Sequence, residues 1–375
     1  MFAKRMNQLQ SSSIRKMFEM AAKMKNPVNL SLGMPDFDVP ANVKKQAVKA
    51  INDGKNKYTL TRGIPEFTLA IVDTLKNEGV NTESVMAVSG ASGGLVLALL
   101  AMADDAAEVL IPDPCFVSYQ YMVSLSGAKI RRIDTYPDFR LTPELLAKAV
   151  TASKKENPAI KQRILLFNSP VNPTGIAYHA SEIKALATTA KKHHLQVISD
   201  EVYDRFCYDF KHECWLKHDT NALLIRTLGK THGMTGWRSG YAAGPASIIE
   251  QMTMLQQFTY VCVNTPTQWA SIEALKTNVD HLIKSYKSKR DMIYEGLKNH
   301  YNLQKPQGAF YAFPECPDGD GEAFLKKCIA NEILIVPGSA FSQRHTHFRL
   351  SFALSDQELE RGIKALVKVS GGRKG

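Results

Sequence analysis

The sequence predicts an α/β fold: a mostly parallel seven-stranded sheet with helices on both faces, plus a smaller α+β lobe. Two observations carry this. Short apolar runs alternate with helix-patterned segments through the middle of the chain, as strands and crossover helices do in a parallel sheet. From about residue 280 that alternation gives way to a mixture of short strands and helices. The chain's 375 residues, 44% hydrophobic and 22% charged, suffice for a large core and a second lobe.

In chain order, residues 1–40 form an arm that belongs with the small domain. Its start, MFAKRMNQLQSSSIRKMF, is basic but lacks the apolar stretch of a secretory leader, and it reads as an amphipathic helix. Residues 41–279 make the large domain. Its strands are VMAV (85–88), EVLI (108–111), KIRRI (129–133), RILLF (163–167), QVIS (196–199), LLIRT (223–227) and SGYAA (239–243). The segments GLVLALLAMA, LTPELLAKAV and SEIKALATTAKKHH supply helices between them. One long amphipathic helix over about 267–299 leads into the small C-terminal domain, 280–375, where FYAF, LIVP and FRLSFAL read as strands around the helical KKCIANE.

Composition excludes several classes. No apolar run reaches the length of a membrane span, so no membrane partner is expected. The net charge of +11 is spread along the chain, and the densest cluster, Lys284 to Arg290, has helical spacing. It reads as a solvated face and not as a nucleic-acid stripe, while the positive field suits small anionic ligands. Six cysteines form no CxxC pair and read as reduced thiols of a cytoplasmic protein. His193-His194 and His345/His347 lack partners at metal-ligand spacing; they read as surface residues, and no metal is expected.

In open parallel sheets ligands bind outside the carboxyl ends of the strands, so chemistry is sought just after each strand. After VMAV comes SGASGG, either a tight turn or the free N–H groups of a helix start facing an anion. After RILLF, NSPVNPTG presents Asn172 on a rigid turn, where it either caps that turn or serves a ligand. After QVIS comes Asp200, a helix N-cap or an acid needing a cation, with Tyr203 three residues on. After LLIRT come Lys230 and Arg238. Gly229-Lys230-Thr231 matches the end of a P-loop, but the glycine that loop needs is Leu224, inside the strand. A lysine after a buried strand suits nucleophilic or general-base work, and Arg238 suits a phosphate or carboxylate. Anion cradle, amide, acid, phenol, lysine and arginine together match the needs of pyridoxal phosphate.

The chain resembles the pyridoxal-phosphate-dependent aminotransferases of fold type I, class I/II, and is most similar to the aspartate-aminotransferase-like branch. The matching segments run in order over nearly the whole chain: SLGMPDFDVP, KYTLTRGIPEF, SGASGG, PDPCFVSY, NSPVNPTG, SDEVYDRF, LGKTHGMTGWRSGY, PQGAFYAFP, VPGSAF and FRLSFALS. The resemblance implies that Lys230 carries the cofactor covalently, with Asp200 on its ring nitrogen and Asn172 and Tyr203 on its ring oxygen. It implies that Phe116 stacks on the ring and that Ala91, Ser92, Thr227 and Arg238 hold the phosphate. Tyr58 would reach the phosphate of a second subunit, which implies a homodimer. Arg349 would bind the substrate carboxylate, with the backbone of Gly33 nearby. Position 92 is serine where some aspartate-specific relatives have a cation, which points away from aspartate. The implied activity is transfer of an amino group from an L-amino acid (aspartate, aromatic or alanine-like) to a 2-oxo acid such as 2-oxoglutarate or pyruvate. A β-eliminating C–S lyase on the same site is the alternative.

Overall fold

The computed structural model describes residues 24–371 and, before them, Met6. The helix expected over the basic start lies outside the described residues. Strand β1 (Val28–Asn29) precedes the seven strands of the main sheet. These are β2 (Ser84–Ser89), β3 (Ala107–Asp113), β4 (Lys129–Asp134), β5 (Gln162–Asn168), β6 (Gln196–Asp200), β7 (Leu223–Thr227) and β8 (Ser239–Gly244). They lie in the order β2-β8-β7-β6-β5-β3-β4. Only β8 runs against its neighbours, pairing antiparallel with both β2 and β7.

Burial on both faces explains the apolar runs of these strands, except at the edge strand β4, which carries Lys129, Arg131 and Arg132 and is only partly buried. Successive side chains point to opposite faces. Met86, Val109, Ile164, Ile198, Leu223 and Ile225 join one core with the helices Gly90–Met102 and Ala246–Thr259. Val85, Leu110, Leu165, Val197 and Leu224 join the other, against Pro65–Asn77, Pro143–Glu156, Ala180–Lys192 and Thr265–Lys276. Local signals set the helix starts: Thr142 accepts a hydrogen bond from the Leu145 N–H, and Pro143 occupies the first turn.

A third core lies under the small lobe. Strands β9 (Tyr311–Ala312), β11 (Val336–Pro337) and β12 (Phe348–Ser351) form an antiparallel sheet in the order β11-β12-β9. Strand β1 pairs in parallel with β10 (Ile333–Leu334), and Val28 and Leu30 are buried in this core.

Three expectations are corrected. The single helix over 267–299 is two helices, Thr265–Lys276 and Asp280–Leu297. Thr277 turns the backbone to an extended conformation, and Asn278 accepts from the Asp280 N–H at 2.7 Å, restarting the chain in a new direction. The apolar period continues past this corner, so it conceals the break. The basic cluster Lys284 to Arg290 is not wholly solvated. Lys289 and Arg290 are buried and ion-paired with Asp36 and Asp209. His347 is buried too, stacked at 5.1 Å on the Phe313 ring.

Candidate active site

One cavity of about 320 Å³ opens at the carboxyl edge of the sheet. Ala91, Asn168, Asp200 and Thr227 line it from the ends of β2, β5, β6 and β7 or just beyond. Because β8 is reversed, its beginning lies at this same edge: Ser239 pairs with Ser89. That is why Arg238, which precedes a strand, joins residues that follow strands.

Lys230 sits on the one-turn helix Leu228–Thr231 after β7. Thr227 caps this turn, accepting from the Gly229 N–H at 3.0 Å and donating its hydroxyl to the Ser239 carbonyl at 2.8 Å. The Lys230 Nζ donates to the Gly33 carbonyl at 2.5 Å and lies 5.9 and 5.7 Å from the Tyr203 and Phe310 ring centroids. Desolvation first, then the charges of Arg349 and Arg238, lower its pKa to about 8. Such an amine gives up its proton more readily than an exposed lysine.

Asp200 is buried, and desolvation raises its carboxyl to about 6. Its Oδ2 accepts from the Tyr119 hydroxyl at 2.5 Å, and its Oδ1 from the Val202 N–H at 3.3 Å. Asn168 ties the neighbouring strand end in, donating to the Asp200 carbonyl at 2.8 Å and accepting from the Asn172 N–H at 3.0 Å. The Tyr203 and Tyr311 hydroxyls lie 3.0 Å apart.

Arg349, from β12, is 1% exposed yet has no ion pair with a carboxylate among the described residues. Its Nη1 donates to Asn172 Oδ1 at 3.1 Å and its Nη2 to the Ser31 carbonyl at 2.9 Å. Nε is buried without a hydrogen-bond partner among the described residues. The guanidinium lies between Tyr311 and Phe341, 4.4 and 4.8 Å from their centroids. A buried cation with only neutral partners is costly and is offset by a bound carboxylate.

The anion cradle is the first turn of helix Gly90–Met102, whose N-cap Ser89 makes no side-chain capping bond. The N–H groups of Ala91 and Ser92 therefore remain for an anion, aided by the helix dipole. Gly90 has φ +66°, and a Cβ there would meet Arg238 Nη2 at 2.6 Å. Glycine lets this guanidinium lie against the cradle.

Among the residues lining the cavity, Lys230, Arg238 and Arg349 are cationic and Asp200 is acidic. Three cations against one carboxylate call for an anionic occupant, and their separation into two groups suits a phosphate at one end and a carboxylate at the other. The donor set thus fits pyridoxal phosphate with an amino acid. Gly33, Ala91, Ser92, Phe116, Asn172, Asp200, Tyr203, Thr227, Lys230, Arg238 and Arg349 all line the cavity. Tyr58 does not; it is 83% exposed on the surface. Tyr119, Asn168 and Tyr311 line the cavity without having been singled out in the sequence. Helical spacing from Phe116 offered a signal for Tyr119, whereas ordinary packing accounts equally well for an aromatic such as Tyr311.

Residues 25–366 match the family model described as aminotransferase class I and II. The chain is 34% identical to the probable aspartate aminotransferase of Methanocaldococcus jannaschii, covering 98% of this chain and 100% of that one. It is 32% identical to aromatic-amino-acid aminotransferase 2 of Thermococcus litoralis, covering 97% of each. The solved Thermus thermophilus aspartate aminotransferase with maleate superposes with a TM-score of 0.92 at 29% identity, over 98% of this chain and 99% of that one.

Proposed function

The chain belongs to the aminotransferases of class I and II, and from that premise we propose that it moves an amino group from an L-amino acid to a 2-oxo acid with pyridoxal phosphate on Lys230. The observation that carries the reading is Arg349, a buried guanidinium without a carboxylate partner among the described residues, facing the same cavity as Lys230. When bound, pyridoxal phosphate supplies an electron-accepting ring that makes the substrate's Cα–H bond acidic. Asp200 would hold the ring nitrogen protonated, with Asn172 and Tyr203 at the ring oxygen and Phe116 against the ring face. Ala91, Ser92, Thr227 and Arg238 would hold the phosphate.

The chain's own groups then divide the work. Arg349 grips the substrate carboxylate as a two-pronged donor and fixes the orientation of Cα. Lys230 would take the proton from the substrate's Cα as a base and deliver it as an acid to the cofactor side of the former amine. Its lowered pKa suits that exchange near neutral pH. Gly33, which lines the cavity beside Met34, gives the amine a fixed resting partner. The rings of Phe116, Tyr203 and Tyr311 exclude water from the reacting atoms.

Supplied with pyridoxal phosphate, the protein is expected to convert 2-oxoglutarate or pyruvate to the matching amino acid with at least one donor from an aspartate, aromatic and alanine panel. The assay is product identity. Pyruvate and ammonia from a cysteine conjugate alone, with no oxo-acid acceptor used, would overturn amino transfer in favour of β-elimination.

A homodimer is part of the proposal. Tyr58, Leu60, Phe258, Tyr260 and Val261 are exposed apolar residues. Their segments adjoin, since Gln256 donates to the Thr61 carbonyl at 2.6 Å. The patch borders the anion cradle: a Cβ on Gly93 would lie 3.5 Å from the Tyr260 hydroxyl. A second copy would cover it and bring its own Tyr58 to the phosphate. Loss of that charge-assisted bond should cost about 1.5–3 kcal/mol of cofactor affinity. Mixing Lys230→Ala with Tyr58→Ala protein under subunit exchange, at limiting cofactor, should restore activity to about a quarter of the wild-type level, since half the dimers are mixed and each has one intact site. No recovery despite demonstrated exchange would contradict a shared site. Free cysteines suit a reducing compartment, and the reading puts the enzyme in the cytoplasm. No helix among the described residues is long and apolar enough to cross a membrane.

A further inference from the structure

We infer that Tyr119 is a positioning residue for Asp200: its hydroxyl holds one carboxylate oxygen, leaves the other for the cofactor's ring nitrogen, and keeps the acid ionised. This rests on the proposed pyridoxal phosphate site and deepens it. Tyr119 lies in the first turn of helix Ser118–Ser126 and is 1% exposed. Its hydroxyl reaches Asp200 Oδ2 at 2.5 Å, a length typical of a phenol donating to a carboxylate. Phe116 steadies the ring edge-on, with centroids 5.5 Å apart and an interplanar angle of 85°. One short segment therefore supplies both the ring that would cover the cofactor and the hydroxyl that grips its acid. Asp200 Oδ1 has only the 3.3 Å bond from Val202, so it retains capacity for a further donor.

The charge of Asp200 depends on this grip. Burial raises its pKa, while the Tyr119 hydroxyl, the Val202 N–H and Lys230 lower it and Glu201 raises it. Tyr203 and, beside Tyr119, Cys115 are the other titratable neighbours. Burial raises both phenols and the thiol, so they remain protonated where Asp200 titrates. Removing the Tyr119 hydroxyl takes a stabilising donor from the anion and moves the carboxyl pKa further up. A protonated Asp200 cannot pair with a protonated ring nitrogen.

Tyr119→Phe keeps the ring and its contact with Phe116 but removes the hydroxyl. The test is spectrophotometric titration of pyridoxal phosphate into cofactor-free protein across pH. For the wild type, affinity should fall as pH drops through about 6. In Tyr119→Phe that limb should move up by about one unit, with affinity roughly tenfold weaker at about pH 5 and only about twofold weaker near pH 7. Adding Tyr119→Phe to Asp200→Asn should change nothing further, because the effect runs through Asp200. An unshifted limb in Tyr119→Phe, or an equal loss on both backgrounds, would overturn the inference and leave the site reading standing. Wild-type protein that binds no pyridoxal phosphate at any pH would overturn the site reading and this inference with it.

Discussion

Lys230→Ala protein, given saturating pyridoxal phosphate, is expected to lose amino transfer by about 10⁴-fold or more. Two roles disappear together: the amine that holds the cofactor and the base that moves the α-proton. The cavity offers no replacement. Among the residues lining the cavity Lys230 is the one amine side chain, Asp200 is held by the Tyr119 hydroxyl and the Val202 N–H, and burial raises the Tyr119 and Tyr203 phenols. Folding should be little disturbed, because among the described residues the side chain makes a single hydrogen bond, to the Gly33 carbonyl. Single-turnover kinetics and a melting curve on the same preparation check both halves. Residual turnover within tenfold of wild type would mean that another group carries the proton.

Arg349→Ala is the second large effect. A fork of charge-assisted bonds to a carboxylate is lost, so kcat/KM should fall by about 10²–10⁴-fold, mostly through KM. Arg349→Lys should recover little, because a point charge cannot reproduce two parallel donors. The stability of the unliganded protein should respond differently. Truncation removes a buried charge that lacks a counter-ion, offsetting the loss of the bonds to Ser31 and Asn172. Steady-state kinetics over several donors, beside urea denaturation of cofactor-free protein, separates the two effects. An unchanged KM for every donor would remove Arg349 from carboxylate binding.

The sheet was legible in the sequence because strands buried on both faces must be apolar throughout; all seven runs became strands, the charged KIRRI as the partly buried edge strand β4. The reversal of β8 was not legible, since direction leaves no mark on composition. The corner at Thr277 to Val279 was hidden for a related reason: two helices that both bury a face continue the same period. In the candidate site, polar residues following strands could be located because the carboxyl edge of a parallel sheet gathers them. Arg349 and Gly33 come from the small lobe and the N-terminal arm, and only the resemblance pointed to them. Their meeting with Lys230 and Asn172 depends on how the lobe lies over the sheet edge. Tyr119 escaped because a buried tyrosine in a helix is ordinarily core. What distinguishes it is a hydroxyl 2.5 Å from a carboxylate on another element.

The central claim is that Lys230 is the residue that carries pyridoxal phosphate. Purified protein is incubated with the cofactor, reduced with borohydride, digested and mapped by mass spectrometry. A single stoichiometric cofactor adduct on the peptide containing Lys230, absent from Lys230→Ala protein, is the predicted result. No adduct there, or label scattered over exposed lysines such as Lys284 and Lys287 alone, would contradict it.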